Sequence, residues 1–100
     1  MKLIITRDSV SAGDDVDAPH EKRLSIKRKT GIVDTINTIL NSGYLPNVRG
    51  GSVFWDVMCD TKIASIKQCE SEYKFMIMWI IDENLSVDKF NSLHFVYGKC

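Results

Sequence analysis

The sequence has no long apolar run, no excess of either charge, and little histidine, cysteine or proline. Its 13 Lys and Arg residues balance 13 Asp and Glu residues, so no net field attracts nucleic acid or an anionic membrane. The longest apolar run, Phe75–Ile81, has the length of a strand and falls far short of the ~20 residues of a membrane span. The apolar patch at the N-terminus is too short for a signal peptide and leads straight into a polar loop, so we expect a cytoplasmic protein.

The cysteines and histidines are too few and too scattered for a predicted metal site. Cys59, Cys69 and Cys100 form no CxxC pair, and His20 and His94 lie far from each other in the sequence. The pattern favours incidental thiols in a reducing compartment over structural zinc or a disulfide framework. We therefore expect no metal and no other cofactor, while a cysteine beside a histidine brought near by the fold stays open.

The clearest structural signal is an amphipathic helix at about residues 31–42. Thr30 is a predicted N-cap, and Asn41-Ser42-Gly43 supplies a stop with glycine available for the left-handed position. Five apolar residues recur three and four apart between these ends and form one stripe: Ile32, Val33, Ile36, Ile39 and Leu40. Such a stripe needs a sheet to pack against.

The rest of the chain alternates with the period of β-strands. Predicted strands cover Lys2–Arg7, Glu21–Arg28, Ser52–Cys59, Lys62–Gln68, Tyr73–Ile81 and His94–Tyr97. A single helical turn is predicted over Ser86–Asn91. One hundred residues make one domain, 1–100, of the α+β class. The order β-β-α-β-β-β-β predicts a mostly antiparallel sheet of five to six strands with the helix on one face, and leaves the order of strands within the sheet open.

Two strands raise the question of what covers the sheet. The segment Tyr73–Ile81 is apolar on both faces, which suggests a strand in the middle of the sheet. Phe54 and Trp55 point to opposite faces of one strand, so both are buried only if the sheet is covered twice. Either a second cover exists or one of these aromatic side chains is exposed as an interface anchor.

An acidic loop follows the first predicted strand. Asp8, Asp14, Asp15 and Asp17 lie within ten residues, and His20 ends the loop. Dense carboxylates suit a hard cation or a basic protein partner, although the spacing is not that of an EF-hand. The other interpretation is a solvated turn whose aspartates cap local N–H groups.

A basic strip follows the loop, with Lys22, Arg23, Lys27, Arg28 and Lys29 set against Glu21. It could contact phosphates, but no aromatic residue is interleaved with it, as binding of single-stranded nucleic acid usually requires. A solvated edge strand, whose charges discourage sheet-to-sheet pairing, fits the pattern better. The sequence also shows no nucleophile elbow and no glycine-rich phosphate loop, so we expect neither direct nucleic-acid binding nor an enzyme.

Four stretches together resemble a group of small bacterial proteins: RDSVSAGDDVDAPH, YLPNVRGG, VFWDV and IASIKQ. The resemblance spans roughly residues 5–68, and little of it extends beyond Cys69. It is clearest at Arg7, Asp8, Ser9, Gly13, Asp14, Asp15, Pro19, His20, Tyr44, Leu45, Pro46, Gly50, Gly51 and Trp55. The group is that of the immunity proteins of polymorphic toxin and contact-dependent growth-inhibition systems, and it carries no active-site motif.

The resemblance implies a module that binds a cognate toxin domain, often a basic nuclease, and covers its active or substrate-binding surface. Clustered carboxylates would serve fast, charge-guided association with such a partner. The predicted partner-binding residues are those of the acidic loop, with a second acidic set farther along the chain: Asp14, Asp15, Asp17, His20, Glu70, Glu72, Asp82 and Glu83. The alternative is a non-catalytic adaptor or structural subunit of a larger bacterial assembly, with homo-oligomerisation open in either case.

Overall fold

The amphipathic segment after residue 30 folds into the predicted helix. A computed structural model describes residues 1–10, 16, 18, 20–46, 53–69 and 74–99, without the side chains of Cys69, Lys74 and Lys99. The helix, α1, spans Ile32–Asn41 and buries one side. Its N-cap is Gly31, with no side-chain hydrogen bond to the first turn, so the predicted Thr30 cap is wrong by one residue. The carbonyl of Thr30 instead accepts the N–H of Val87 at 2.7 Å.

The six predicted strands all form and join in one sheet. They are β1 (Lys2–Arg7), β2 (Lys22–Ser25), β3 (Val53–Cys59), β4 (Thr61–Cys69), β5 (Lys74–Trp79) and β6 (Ser92–Lys99). Their order in the sheet is β2-β1-β6-β3-β4-β5. Only the β1–β6 pair is parallel, and the other four pairs are antiparallel. The α+β class and the mostly antiparallel sheet are therefore confirmed, and a short 3-10 turn at Val87–Lys89 lies within the predicted helical turn.

One edge strand of the sheet is the one that the sequence predicts, and the other is not. Lys22 and Arg23 of the basic strip lie in β2, which is an edge strand as predicted, although it ends at Ser25 and not at Arg28. The apolar segment Tyr73–Ile81 supplies β5, which lies at the opposite edge and not in the middle. Its alternate side chains are half-buried or exposed because only β4 pairs with it.

One hydrophobic core fills the space between α1 and one face of the sheet. Trp55 and Phe95 are its largest fully buried side chains, and Ile36 of α1 is fully buried in the same core. At ~1.5–3 kcal/mol for each buried large side chain, this core supplies most of the stabilisation of the fold. Phe54 points the other way and is only half-buried, so the question raised by the Phe54–Trp55 pair has an answer: Trp55 is core and Phe54 is not.

Candidate protein interface and strand-end cluster

The face of the sheet opposite α1 carries no described helix or strand. We call it the open face. Strand pairing places its residues in rows, of which one contains Phe54, Lys67 and Met76. The next row contains Asp56, Ser65 and Met78. Alternation along each strand fixes these side chains on the open face, because their neighbours enter the core.

The margin of the open face at β5 is apolar and exposed. Met76 is 60% exposed, Met78 is 71% exposed, and Ile80, two residues farther on, is 57% exposed. Phe54 and the two methionines line one shallow depression. We call these four residues, Phe54, Met76, Met78 and Ile80, the methionine patch. Contiguous exposed apolar side chains of this kind are typical of surfaces that bind another molecule.

The polar groups in the middle of the open face are already paired. Asp56 accepts a hydrogen bond from the hydroxyl of Ser65 at 3.1 Å and forms an ion pair with Lys62 at 3.2 Å. The ammonium of Lys67 lies 6.0 Å from the centre of the Phe54 ring, within the range of a cation–π contact. A partner that docks on the methionine patch therefore meets no uncompensated charge from Asp56.

A second feature lies where β1 ends beside β6. The hydroxyl of Thr6 is 2.6 Å from Nδ1 of His94, and Nε2 of His94 is 3.0 Å from the Asp8 carboxylate. The other oxygen of Asp8 accepts the backbone N–H of Tyr97 at 3.0 Å. Asp8 thus continues the β1–β6 ladder with its side chain after the strand has ended.

Arg7 joins the same region to the end of the helix. Its Nε donates to the carbonyl of Tyr44 at 3.0 Å, and its guanidinium lies 5.8 Å from the centre of the Tyr44 ring. The hydroxyl of Tyr44 donates to the carbonyl of His20 at 2.6 Å. Burial raises the pKa of Tyr44 to about 12, against the opposing effect of the Arg7 charge. We call Arg7, Asp8, His20, Tyr44 and His94 the strand-end cluster.

The strand-end cluster and its contacts bring together five residues that carry the sequence resemblance: Arg7, Asp8, Ser9, His20 and Tyr44. A hydroxyl–imidazole–carboxylate chain also activates nucleophiles in hydrolases, but there the carboxylate bonds Nδ1 and the nucleophile Nε2. Here the order is reversed, and Thr6 lies on a regular strand directly opposite His94. The bonds from Arg7 to Tyr44 and from Tyr44 to His20 tie the segment after α1 and the loop before β2 to the sheet.

The described predicted partner-binding residues lie at two separate places. His20 is half-buried at a left-handed φ of 58°, and its ring bonds the hydroxyl of Ser9 at 3.2 Å. Asp82 and Glu83 are exposed just after β5. His20 lies beyond the C-terminal end of α1, where its carbonyl accepts the hydroxyl of Tyr44. Asp82 and Glu83 lie toward the start of α1, because the carbonyl of nearby Leu85 accepts the N–H of Ile32. The 10-residue helix, ~15 Å long, lies between the two places.

The remaining predicted partner-binding residues, Asp14, Asp15, Asp17, Glu70 and Glu72, lie outside the described part of the chain. The methionine patch is the feature that sequence reasoning missed. Its signal is the uncharged run Phe75–Ile81, whose pattern predicts a strand buried on both faces. Met76 and Met78 are exposed because β5 lies at the edge of the sheet and no described element packs over this face.

Among the described residues, no group of three or more His, Cys, Asp or Glu side chains is placed to hold a metal ion. The one α-helix of the described residues is too short to cross a membrane. Comparison of the chain with protein-family models, curated proteins and solved structures found no match. The fold and the site therefore define a small α+β domain with one sheet face over which no described element packs.

Proposed function

We propose that this protein is an immunity protein that binds a cognate bacterial toxin domain and covers its active or substrate-binding surface, with the methionine patch as the centre of the interface. The observation that carries the proposal is the exposure of Met76 and Met78 on a sheet face over which no described element packs, with Ile80 exposed just beyond the strand. The resemblance of residues 5–68 to immunity proteins supplies the class of partner.

The methionine patch has the physical properties of a binding surface. Burial of each of these partly exposed apolar side chains contributes at most ~1.5–3 kcal/mol to association before the entropic costs are subtracted. Methionine side chains adapt their shape to the partner, because they are unbranched and polarisable. The backbone beneath them is held by β4 on one side, and the core of the domain supports the sheet from behind. The surface is therefore largely preorganised.

The charges beside the patch suit a cationic partner. Asp82 and Glu83 follow Ile80 closely and are exposed, and Asp60 occupies the β3–β4 turn at the same end of the sheet. Such carboxylates accelerate encounter with a basic surface and align it, while the apolar contacts determine how long the complex lasts. A basic nuclease domain is the partner that the resemblance leads us to expect.

The first experiment is co-purification of the tagged chain with the C-terminal domain encoded immediately upstream of its gene, paired with growth rescue of cells that express that domain. A complex together with rescue is the expected result. The variant Met78→Lys should weaken the complex at least ~10-fold, because it replaces an apolar contact with a charge that must be desolvated. The matched control is Asn37→Lys, since Asn37 is exposed on α1, which packs on the opposite face of the sheet. Equal affinities of the two variants would contradict the proposed interface.

The acidic residues require a separate measurement. The double variant Asp82→Asn/Glu83→Gln should lower the association rate several-fold and flatten its salt dependence, with a smaller effect on dissociation. Glu21→Gln removes one exposed negative charge from the region of the opposite edge strand and should leave the rate unchanged. An unaltered salt dependence in the double variant would place the charged contacts elsewhere.

The same exposed patch also fits the second candidate, an adaptor subunit of a larger bacterial assembly. Growth rescue separates the two candidates, because an adaptor has no reason to protect a cell from the upstream domain. Absence of both toxicity and complex formation would favour the adaptor and would make the methionine patch the first surface on which to seek its partner.

A further inference from the structure

The two edges of the sheet are protected against strand addition to very different degrees. At one edge, β2 has only four residues, and two of them, Lys22 and Arg23, are exposed charges. Short charged edge strands discourage pairing with another sheet. At the other edge, β5 has six residues, and no charged residue occurs from Phe75 to Ile81. In the described part of the chain, no strand lies outside β5.

The register of β5 determines which of its backbone groups face outward. Ile80 donates its N–H to the carbonyl of Ile63, which lies directly opposite when the β4–β5 register is continued by one residue. In an antiparallel pair, alternate residues bond to the neighbouring strand and the residues between them face away. The N–H and C=O groups of Phe75, Ile77 and Trp79 therefore point away from β4, toward the free edge.

We propose that β5 pairs with β5 of a second copy of this chain, antiparallel about a two-fold axis at Ile77, and so joins two sheets into one of twelve strands. In this register Ile77 lies opposite Ile77 of the second copy, and Phe75 lies opposite Trp79. The outward N–H and C=O groups of these three residues then bond across the axis. On the open face, Met76 lies beside Met78 of the second copy.

A second copy is the occupant that the charges favour. Two-fold pairing places equivalent segments against each other, so a strand with several charges of one sign repels its own copy. β2 carries Lys22 and Arg23 and would repel its own copy, whereas the run from Phe75 to Ile81 carries no charge. The aromatic pair Phe75–Trp79 and the methionine pair also bring half-buried or exposed apolar side chains together. The pairing therefore gives hydrogen-bond partners to the outward backbone groups of β5 and removes part of its apolar side chains from water.

This dimer does not require toxin binding, although both interfaces involve Met76 and Met78. It uses the backbone edge of β5, whereas the proposed toxin interface uses side chains on the open face, and dimerisation joins the methionine patches of two copies. Sedimentation of the chain alone tests the dimer and co-purification tests toxin binding, so failure of one proposal is distinguishable from failure of the other.

The first test uses the purified full chain alone. Sedimentation equilibrium from ~1 to ~200 μM should show a monomer–dimer equilibrium with Kd in the micromolar range, because one strand pair buries less than the ~1,200 Å² of a standard interface. Amide hydrogen exchange at Phe75, Ile77 and Trp79 should slow as the concentration rises through that Kd. A monomer over the whole range would overturn the proposal. So would a dimer in which these three amides exchange as fast as in the monomer.

A matched pair of variants isolates the backbone contribution. Ile77→Pro and Ile77→Ala both remove the isoleucine side chain, but only proline removes the outward N–H, which it does at an edge position where proline is tolerated. We expect Ile77→Pro to weaken dimerisation roughly 10-fold or more relative to Ile77→Ala, because symmetry deletes two hydrogen bonds. Equal dimerisation of the two folded variants would overturn the proposal, and the wild-type exchange measurement decides the question if Ile77→Pro does not fold.

Discussion

At the scale of single residues, Tyr44 makes the free energy of unfolding depend on pH in the alkaline range. Burial raises its pKa from 10.0 to about 12, the charge of Arg7 acting against this. The unfolded chain loses the tyrosine proton near pH 10, while the folded chain holds it until about pH 12. The contribution to stability is therefore complete below pH 10 and is lost as the pH rises toward 12.

Urea unfolding at pH 9 and at pH 11 should show this loss in the wild type and a smaller loss in Tyr44→Phe, which has no proton to release. At neutral pH the variant should be less stable by ~1 kcal/mol, because the carbonyl of His20 loses the Tyr44 hydroxyl as a donor. An identical change between the two pH values in both proteins would show that Tyr44 does not cause it.

Asp8 is the second residue whose removal has a definite cost. Its carboxylate accepts the N–H of Tyr97 and bonds Nε2 of His94, so Asp8→Ala takes a partner from both groups. We expect the free energy of unfolding to fall by ~1–3 kcal/mol, with a smaller loss for Asp8→Asn, which keeps one acceptor oxygen.

The matched control for Asp8→Ala is Glu21→Ala. Glu21 pairs with Arg23 at 3.4 Å, but both side chains are well exposed, so the cost should stay below ~0.5 kcal/mol. Midpoints of urea unfolding at neutral pH measure both changes. Similar losses for the two variants would mean that Asp8 contributes no more than an ordinary surface charge.

At the scale of elements, two glycines bracket α1 and differ in what they require of the backbone. Gly43 follows the helix at a φ of 76°, in the left-handed region, whereas Gly31 precedes it at a φ of −66° with open space where a Cβ would lie. Gly43→Ala should lower stability by ~1–2 kcal/mol, because a Cβ is strained at positive φ. For a domain of this size, each kcal/mol lowers Tm by ~4–8 °C.

Gly31→Ala is the control for that substitution and should change Tm much less, because its backbone angles suit any residue. Thermal unfolding followed by circular dichroism compares the two variants directly. A larger fall in Tm for Gly31→Ala than for Gly43→Ala would mean that an added Cβ is tolerated less well at the N-cap than at the left-handed position after the helix.

The elements themselves are predictable from local patterns. The 3.6-residue stripe from Ile32 to Leu40 defines the helix, and period-two alternation defines all six strands. The predicted N-cap is one residue off because Thr30 has a side chain suited to capping, yet its backbone carbonyl is engaged by Val87. That contact joins residues far apart in the sequence, so no local pattern could reveal it.

At the scale of the whole molecule, strand order determines what the sequence could not show. The last strand, β6, inserts between β1 and β3, and this places His94 beside Asp8, 86 residues away. The same order puts β5 at the edge. A strand that is apolar on both faces has one sequence signature whether two neighbours flank it or one. The exposure of Met76 and Met78 follows from the edge position of β5 and from a sheet face over which no described element packs.

The final prediction tests whether the methionine patch is a free surface of the folded domain. Met76 and Met78 are 60% and 71% exposed, so the double variant Met76→Lys/Met78→Lys should change the free energy of unfolding by no more than ~0.5 kcal/mol. Binding of an apolar fluorescent dye to the native protein should fall clearly, because the patch is lost. Val16→Lys, at a position that is 84% exposed and outside the patch, should change neither quantity. A loss of stability well above ~1 kcal/mol in the double variant would mean that part of this chain packs over the methionines, and the surface would then be closed to a toxin domain.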